Sequence, residues 1–351
     1  MNKHIRTICY IIPTLILTSL RVPALAQEVS IPDPGLNAAI REALQIPDRP
    51  LTEQDLLSLT VLEARSRNVS SVEGLQAARN LVSFDLQSNH LTTFSLPSGL
   101  TNLVTLDLSI NSLTNCFIPS GFTNLAKLIL EANLLTNLTL PDDLTGLNNL
   151  DLENNQLTSF DLPSSLTSLS VLDLGFNSLT TFSLPSGLRN LTTFYFAGNP
   201  LTSLALPAGL TGMTELNLSQ NLLTSFTLPA GMTNLIELDL SFNQLTNLAL
   251  PSDLLSLTGL DLDFNQFTSL NLPSNLARLS FLHLRANLFA NFSLPVGLTG
   301  LTYLDVSEGP LTSITLPAGA RPSGDPPPFR KYQPDEPNLA CGSDQFGRAK
   351  P

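Results

Sequence analysis

Acidic side chains recur in this chain at a fixed interval. Asp85, Asp107, Asp151, Asp173, Asp239, Asp261 and Asp305 lie 22 residues apart or a multiple of it. Glu131, Glu153 and Asp263 stand two residues after that register, and Glu215 and Glu237 two residues before it. Carboxylates gathered this way can attract a cationic group, coordinate a divalent ion or work as an acid–base pair. Glu215, Glu237, Asp239, Asp261 and Asp263 fall in three consecutive intervals and form the densest group. Unit charges about 5 Å apart repel by roughly 1 kcal/mol in water, and by several-fold more in a protein-like medium. Such a group fits a cationic ligand or the basic or polar surface of a protein partner. It fits equally a solvated face kept for solubility.

Other chemistries are short of parts. No loop carries the ligand spacing of a calcium site, so no metal is expected. Glycoside hydrolysis would need a closed cleft to keep one carboxyl protonated, and a flat ladder of strands is expected to offer none. Nucleophilic triads lack histidine, since only His90 and His283 follow the first 26 residues. No glycine-rich phosphate loop is present. The chain is therefore expected to be non-catalytic and to use no cofactor. A second group, Phe281, His283, Arg285 and Tyr303, occupies the last two intervals, and Tyr195 is the only other aromatic at the matching positions. Aromatics beside arginine make favourable interface anchors. Packing against a following unit would explain them equally well.

Composition narrows the class. The 351 residues carry 17 Lys+Arg and 29 Asp+Glu, for a net charge of −12. With 42% apolar and 13% charged residues, global disorder is excluded. A chain this acidic would repel nucleic acid. Three cysteines do not make a disulfide scaffold. Lys3, His4 and Arg6 precede an apolar run from Ile8 to Leu20, and Ala24-Leu25-Ala26 follows. This is the pattern of an export signal cleaved before Gln27, leaving no membrane span in the remainder. A secreted or cell-surface location follows as the expectation.

The interval belongs to whole segments. Leu81 to Asn102 reads LVSFDLQSNHLTTFSLPSGLTN, and ten more copies follow. With Leu81 as position 1, positions 1, 4, 6, 11, 14, 16 and 20 are apolar. Positions 4 and 6 alternate with polar neighbours, as in a half-buried strand whose positions 3, 5 and 7 face outward. Asparagine holds position 9 in ten copies, from Asn89 to Asn287, and Gly309 replaces it in the eleventh. An inward amide there can satisfy peptide groups that lose their sheet partners. Proline holds position 17 from Pro97 to Pro317, suiting an extended segment. Position 19, often glycine as at Gly99, Gly121, Gly187 and Gly297, predicts a tight turn with positive φ. Cys116 falls at an apolar position, so a buried free thiol is expected.

The pattern LxxLxLxxNxL resembles the leucine-rich repeat. It runs from Leu81 to about Ala320, with Leu59 to Asn80 as a degenerate leading copy in which Arg67 replaces the asparagine. Ile31 to Leu62 resembles the helical N-cap of internalin-like bacterial surface proteins. Asp33 before Pro34, with an apolar face of Leu36, Ala39, Ile40, Ala43 and Leu44, predicts one helix; Thr52 with Asp55 predicts a second. The resemblance implies an α/β-type solenoid, a horseshoe with a parallel concave sheet, an extended or turn-like convex side and a helical N-terminal cap. The expected organisation is signal peptide 1–26, cap 27–58, repeats 59–320 and a proline-rich disordered tail 321–351. The resemblance also implies recognition of a protein, or of a glycan, outside the cell. The alternative is a structural spacer or repeat segment of a larger surface protein.

Overall fold

The computed structural model describes residues 28–316. The expected signal segment and proline-rich tail lie outside them. Each copy contributes a three-residue strand with its central side chain turned inward. Twelve such strands, from Val61–Glu63 to Tyr303–Asp305, form one parallel sheet in chain order. The degenerate leading copy supplies the first strand. Every pairing joins equivalent residues of adjacent copies, as Leu216 opposite Leu238 and Leu238 opposite Leu260. Inward side chains such as Leu106, Leu150, Leu172 and Leu282 are fully buried. No copy encloses a core by itself, so burial comes from stacking on its neighbours.

The opposite side is mostly turns, with three short parallel pairs, such as Thr93–Ser95 with Asn115–Phe117. Cys116 lies in this pair, buried and unpaired, and burial pushes its thiol up to about 12. A thiol that rarely ionises is a packing group, not a nucleophile.

The asparagines close the backbone accounting. Asn177 Nδ2 donates to the carbonyls of Leu152, Leu174 and Gly175 at 2.9, 3.2 and 3.1 Å. Its Oδ1 accepts from the Leu157 N–H at 3.0 Å. One side chain thereby ties its own turn to the preceding copy. A second amide ladder is exposed, and the repeat pattern of apolar residues does not mark it. Asn80, Asn102, Asn124, Asn190 and Asn234 each donate to a carbonyl 23 residues earlier. The signal for it is asparagine recurring at position 22.

The expected glycine turn holds only in part. Gly121, Gly187, Gly209 and Gly231 have φ between 92° and 102°, but Gly99 and Gly297 do not lie in the left-handed region. The regular left-handed residue is instead at position 8, just before the ladder asparagine. Ser88, Ile110, Ala132, Phe176, Gly198, Gln220, Phe242, Phe264 and Ala286 share φ of 51° to 67° there. Their N–H groups still reach the next copy, as Phe176 to the Ala197 carbonyl at 2.7 Å. The turn swings the chain so that the asparagine points inward.

The helices Pro34–Leu44 and Glu53–Leu56 cover the first repeat. One Asp33 oxygen caps the first helix at the Leu36 N–H, and the other accepts from Ser70 and Ser71. Thr52 and Asp55 complete a capping box. At the far end Leu304 is only partly buried and Ile314 is exposed, so among the described residues the last copy has no such cover. No helix among the described residues is long and apolar enough to cross a membrane.

Candidate functional site

The sheet places positions 3, 5 and 7 on its outer face. The position-5 acids have a local duty there. Asp239 Oδ1 accepts the Ser241 N–H at 2.9 Å and the Ser241 hydroxyl at 2.7 Å. Asp261 Oδ1 accepts the Asp263 N–H at 2.9 Å, and Asp173 Oδ1 the Gly175 N–H at 2.8 Å. Asn217 makes the same bond to Ser219 at 2.9 Å, so where the bond forms it needs the acceptor and not the charge. This local bond accounts for much of the aspartate ladder, although the strands ending at Ile129, Tyr195 and His283 stop without it.

The charge nevertheless accumulates. Tyr195, Glu215, Glu237, Asp239 and Asp261 line one cleft of about 440 Å³, together with Glu153 and Asp173 further along the sheet. Its rim is built by position 8. Phe176 and Phe242 stand there, 43% and 50% exposed, and between them come only Gly198 and Gln220. The face is thus not flat here, but the groove is half-open and is not the closed cleft that glycoside hydrolysis would need. By strand alternation position 8 would face inward, but its left-handed backbone turns these rings out onto the rim.

The cleft also perturbs its acids. Burial, then the neighbouring Asp239, pushes the Asp261 carboxyl up to about 8. Burial raises Asp239 as well. Asp263, outside the cleft lining, is pushed up to about 6, by burial first. Burial and a hydrogen bond to Glu215 hold the Tyr195 phenol well above its ordinary range, so it stays a donor. Upstream, burial moves Glu131 to about 7 and Asp151 to about 6. None of the described residues lining the cleft is lysine, arginine or histidine.

The remaining expected residues sit one or two copies further on and are engaged with each other. Phe281 pairs with Tyr303 across adjacent strands, and the His283 and Tyr303 rings lie 4.8 Å apart. His283 Nδ1 is 3.9 Å from Asp263 Oδ2, and burial lowers the imidazole pKa. Arg285 pairs with Glu308, and its guanidinium lies 5.3 Å from the centre of the Phe264 ring. Phe264 in turn stacks on Phe242 at 4.4 Å. Asp261, Asp263 and His283 can bring one ligand atom each within 4.8 Å of one another. Two of these groups already give an oxygen to backbone N–H groups, Asp261 to Asp263 and Asp263 to Arg285. Alternation pointed to the outward acids, Tyr195 and the Phe281–Tyr303 group, but not to Phe176, Phe242 and Phe264.

Comparison with known proteins agrees with this architecture. Residues 145–186 and 189–230 match the model of leucine-rich repeats in two copies. No curated protein sequence matches the chain. The functional domain of InlJ from Listeria monocytogenes is 26% identical with a TM-score of 0.69, over 86% of this chain and 64% of that one. The chain thus spans less than two thirds of that domain. Another internalin of the same species, InlF, shares the fold at a TM-score of 0.56 and 24% identity, over 81% of this chain and 95% of its own. The plant peptide hormone receptor RGFR1, solved in complex with RGF2, is 29% identical with a TM-score of 0.53, over 67% of this chain and 41% of that one. The chain has the fold of a leucine-rich-repeat solenoid, and that fold is similar to those of InlJ and InlF.

Proposed function

We propose that this protein is an exported, non-catalytic recognition scaffold that binds a protein partner through its acidic concave face. The carrying observation is the cleft, where carboxylates gather with no lysine, arginine or histidine among the described lining residues. Charges crowded and partly desolvated in this way destabilise the free molecule and favour a cationic partner. A rigid strand ladder presents them without the ordering cost of a loop. The InlJ and RGFR1 likenesses support such a use of the repeats.

The test is capture of a partner from the native extracellular milieu by the parent and by the double variant Asp239→Asn, Asp261→Asn. Asparagine keeps the acceptor for the strand-end bond, as Asn217 shows, and removes only the capacity of these raised carboxyls to ionise toward a bound cation. Capture should fall several-fold in the variant and weaken as salt rises past about 0.1 M. A partner held equally by both proteins at all salt concentrations would refute the acidic face as the interface. The backbone duty of the position-5 aspartates favours a second reading, a structural spacer, which predicts that nothing specific is captured.

A further inference from the structure

We infer that the notch between Phe176 and Phe242 receives an arginine side chain of the partner, its guanidinium against an aromatic ring and its charge over the carboxylates of the cleft. The inference rests on the acidic face being the binding surface and adds what that surface selects. The molecule carries its own example of the arrangement. Arg285 lies over the Phe264 ring at 5.3 Å while pairing with Glu308 and feeling the charge of Asp263. Phe264 is a position-8 residue, equivalent to Phe176 and Phe242 in backbone and place. In its copy, position 7 of the next repeat supplies the guanidinium.

At Phe176 the same neighbouring position is Ala197, and at Phe242 it is Asp263, so neither ring has a cation of its own chain there. Phe264 stacks on Phe242, yet Phe242 remains 50% exposed and lines the cleft. Phe176 lies across Gly198, where any side chain would meet its ring. Glycine at 198 therefore lets the Phe176 ring lie over the backbone, and Gln220 is the one position-8 side chain left between the two rings. Below it lie Glu215, Glu237 and Asp239. A flat guanidinium can stack on a ring and still donate in its own plane to carboxylates, which a compact ammonium does less well. The volume, about 440 Å³, admits a whole arginine side chain with neighbouring backbone.

The probes are blocked pentapeptides Gly-Ser-Xaa-Ser-Gly in which Xaa is arginine, lysine or citrulline, titrated into the full-length protein by nuclear magnetic resonance. Arginine should bind at least about tenfold more tightly than citrulline, its neutral near-isostere, and more tightly than lysine. Phe176→Ala and Phe242→Ala should each weaken the arginine peptide about threefold or more. Gln220→Phe should block the notch without changing any charge, because Gln220 and Phe242 share φ of 54°. Unchanged thermal melts of these rim variants would confirm that they fold. Equal binding of arginine and citrulline, or full affinity in all three rim variants, overturns the inference. If the Asp239→Asn, Asp261→Asn pair loses binding while the rim variants keep it, the arginine site fails and the acidic interface stands. If capture of the natural partner ignores the aspartate changes, the broader reading fails by that separate measurement.

Discussion

Asn177 serves four backbone groups in two copies with one amide. Asn177→Ala should therefore cost about 1–3 kcal/mol, because those buried groups lose their partner. Chemical denaturation measures it, and the neighbouring Ser178→Ala should be nearly silent. Ile110 shows the opposite imbalance. It is β-branched and held at φ of 53°, a conformation that disfavours branched side chains. Ile110→Asn should stabilise by about 0.5–1 kcal/mol, since asparagine tolerates that backbone and Asn154 already occupies the equivalent place at φ of 53°. A loss of stability there would mean that packing of the isoleucine outweighs its strain. The ladder amide was legible in the sequence because one residue type kept one register. The strained residue was not, because position 8 changes identity from copy to copy and only its backbone is constant.

At the scale of the element, each strand pairs in the same offset with the next. Deletion of Leu169 to Asn190, one whole copy, should leave a folded protein with a modest fall in melting temperature. Deletion of Leu169 to Leu179 should break the offset and abolish the cooperative transition. Equal damage from both would show that the offset does not govern stacking. The same strands explain how far the binding face could be read in advance. Two-residue alternation places Glu237, Asp239 and Asp261 outward correctly, and it extends one residue too far. The left-handed turn at position 8 reverses the direction of Phe176 and Phe242, and with it creates the rim of the cleft. No periodicity of side-chain types records such a reversal.

For the molecule as a whole, the perturbed acids make stability depend on pH. A carboxyl whose pKa rises on folding binds protons more tightly in the folded state. Its contribution is fully present below the unfolded value near 4 and is lost as pH rises through the folded value. With Asp263 at about 6 and Asp261 at about 8, the melting temperature should fall between pH 5 and pH 9. Asp261→Asn should flatten that slope and melt roughly 2–4 °C higher than the parent at pH 8. A slope that survives in the variant would assign it to other groups. A cation seated in the cleft should have the same stabilising sense, and its binding should release protons near neutral pH.

The uniform offset between copies bears on heredity as well as on folding. Because any copy presents the same edges as any other, unequal crossing-over between gene segments can lengthen or shorten the array in whole units and still encode a stackable chain. The aromatic rim and its carboxylates span a run of neighbouring copies, from Glu153 to Asp261. An exchange outside that run carries the cleft intact to a new distance from either end. An exchange inside it alters the spacing of the groups that line the cleft. Reach and selectivity are therefore separately heritable, the first by counting units and the second by which units are neighbours.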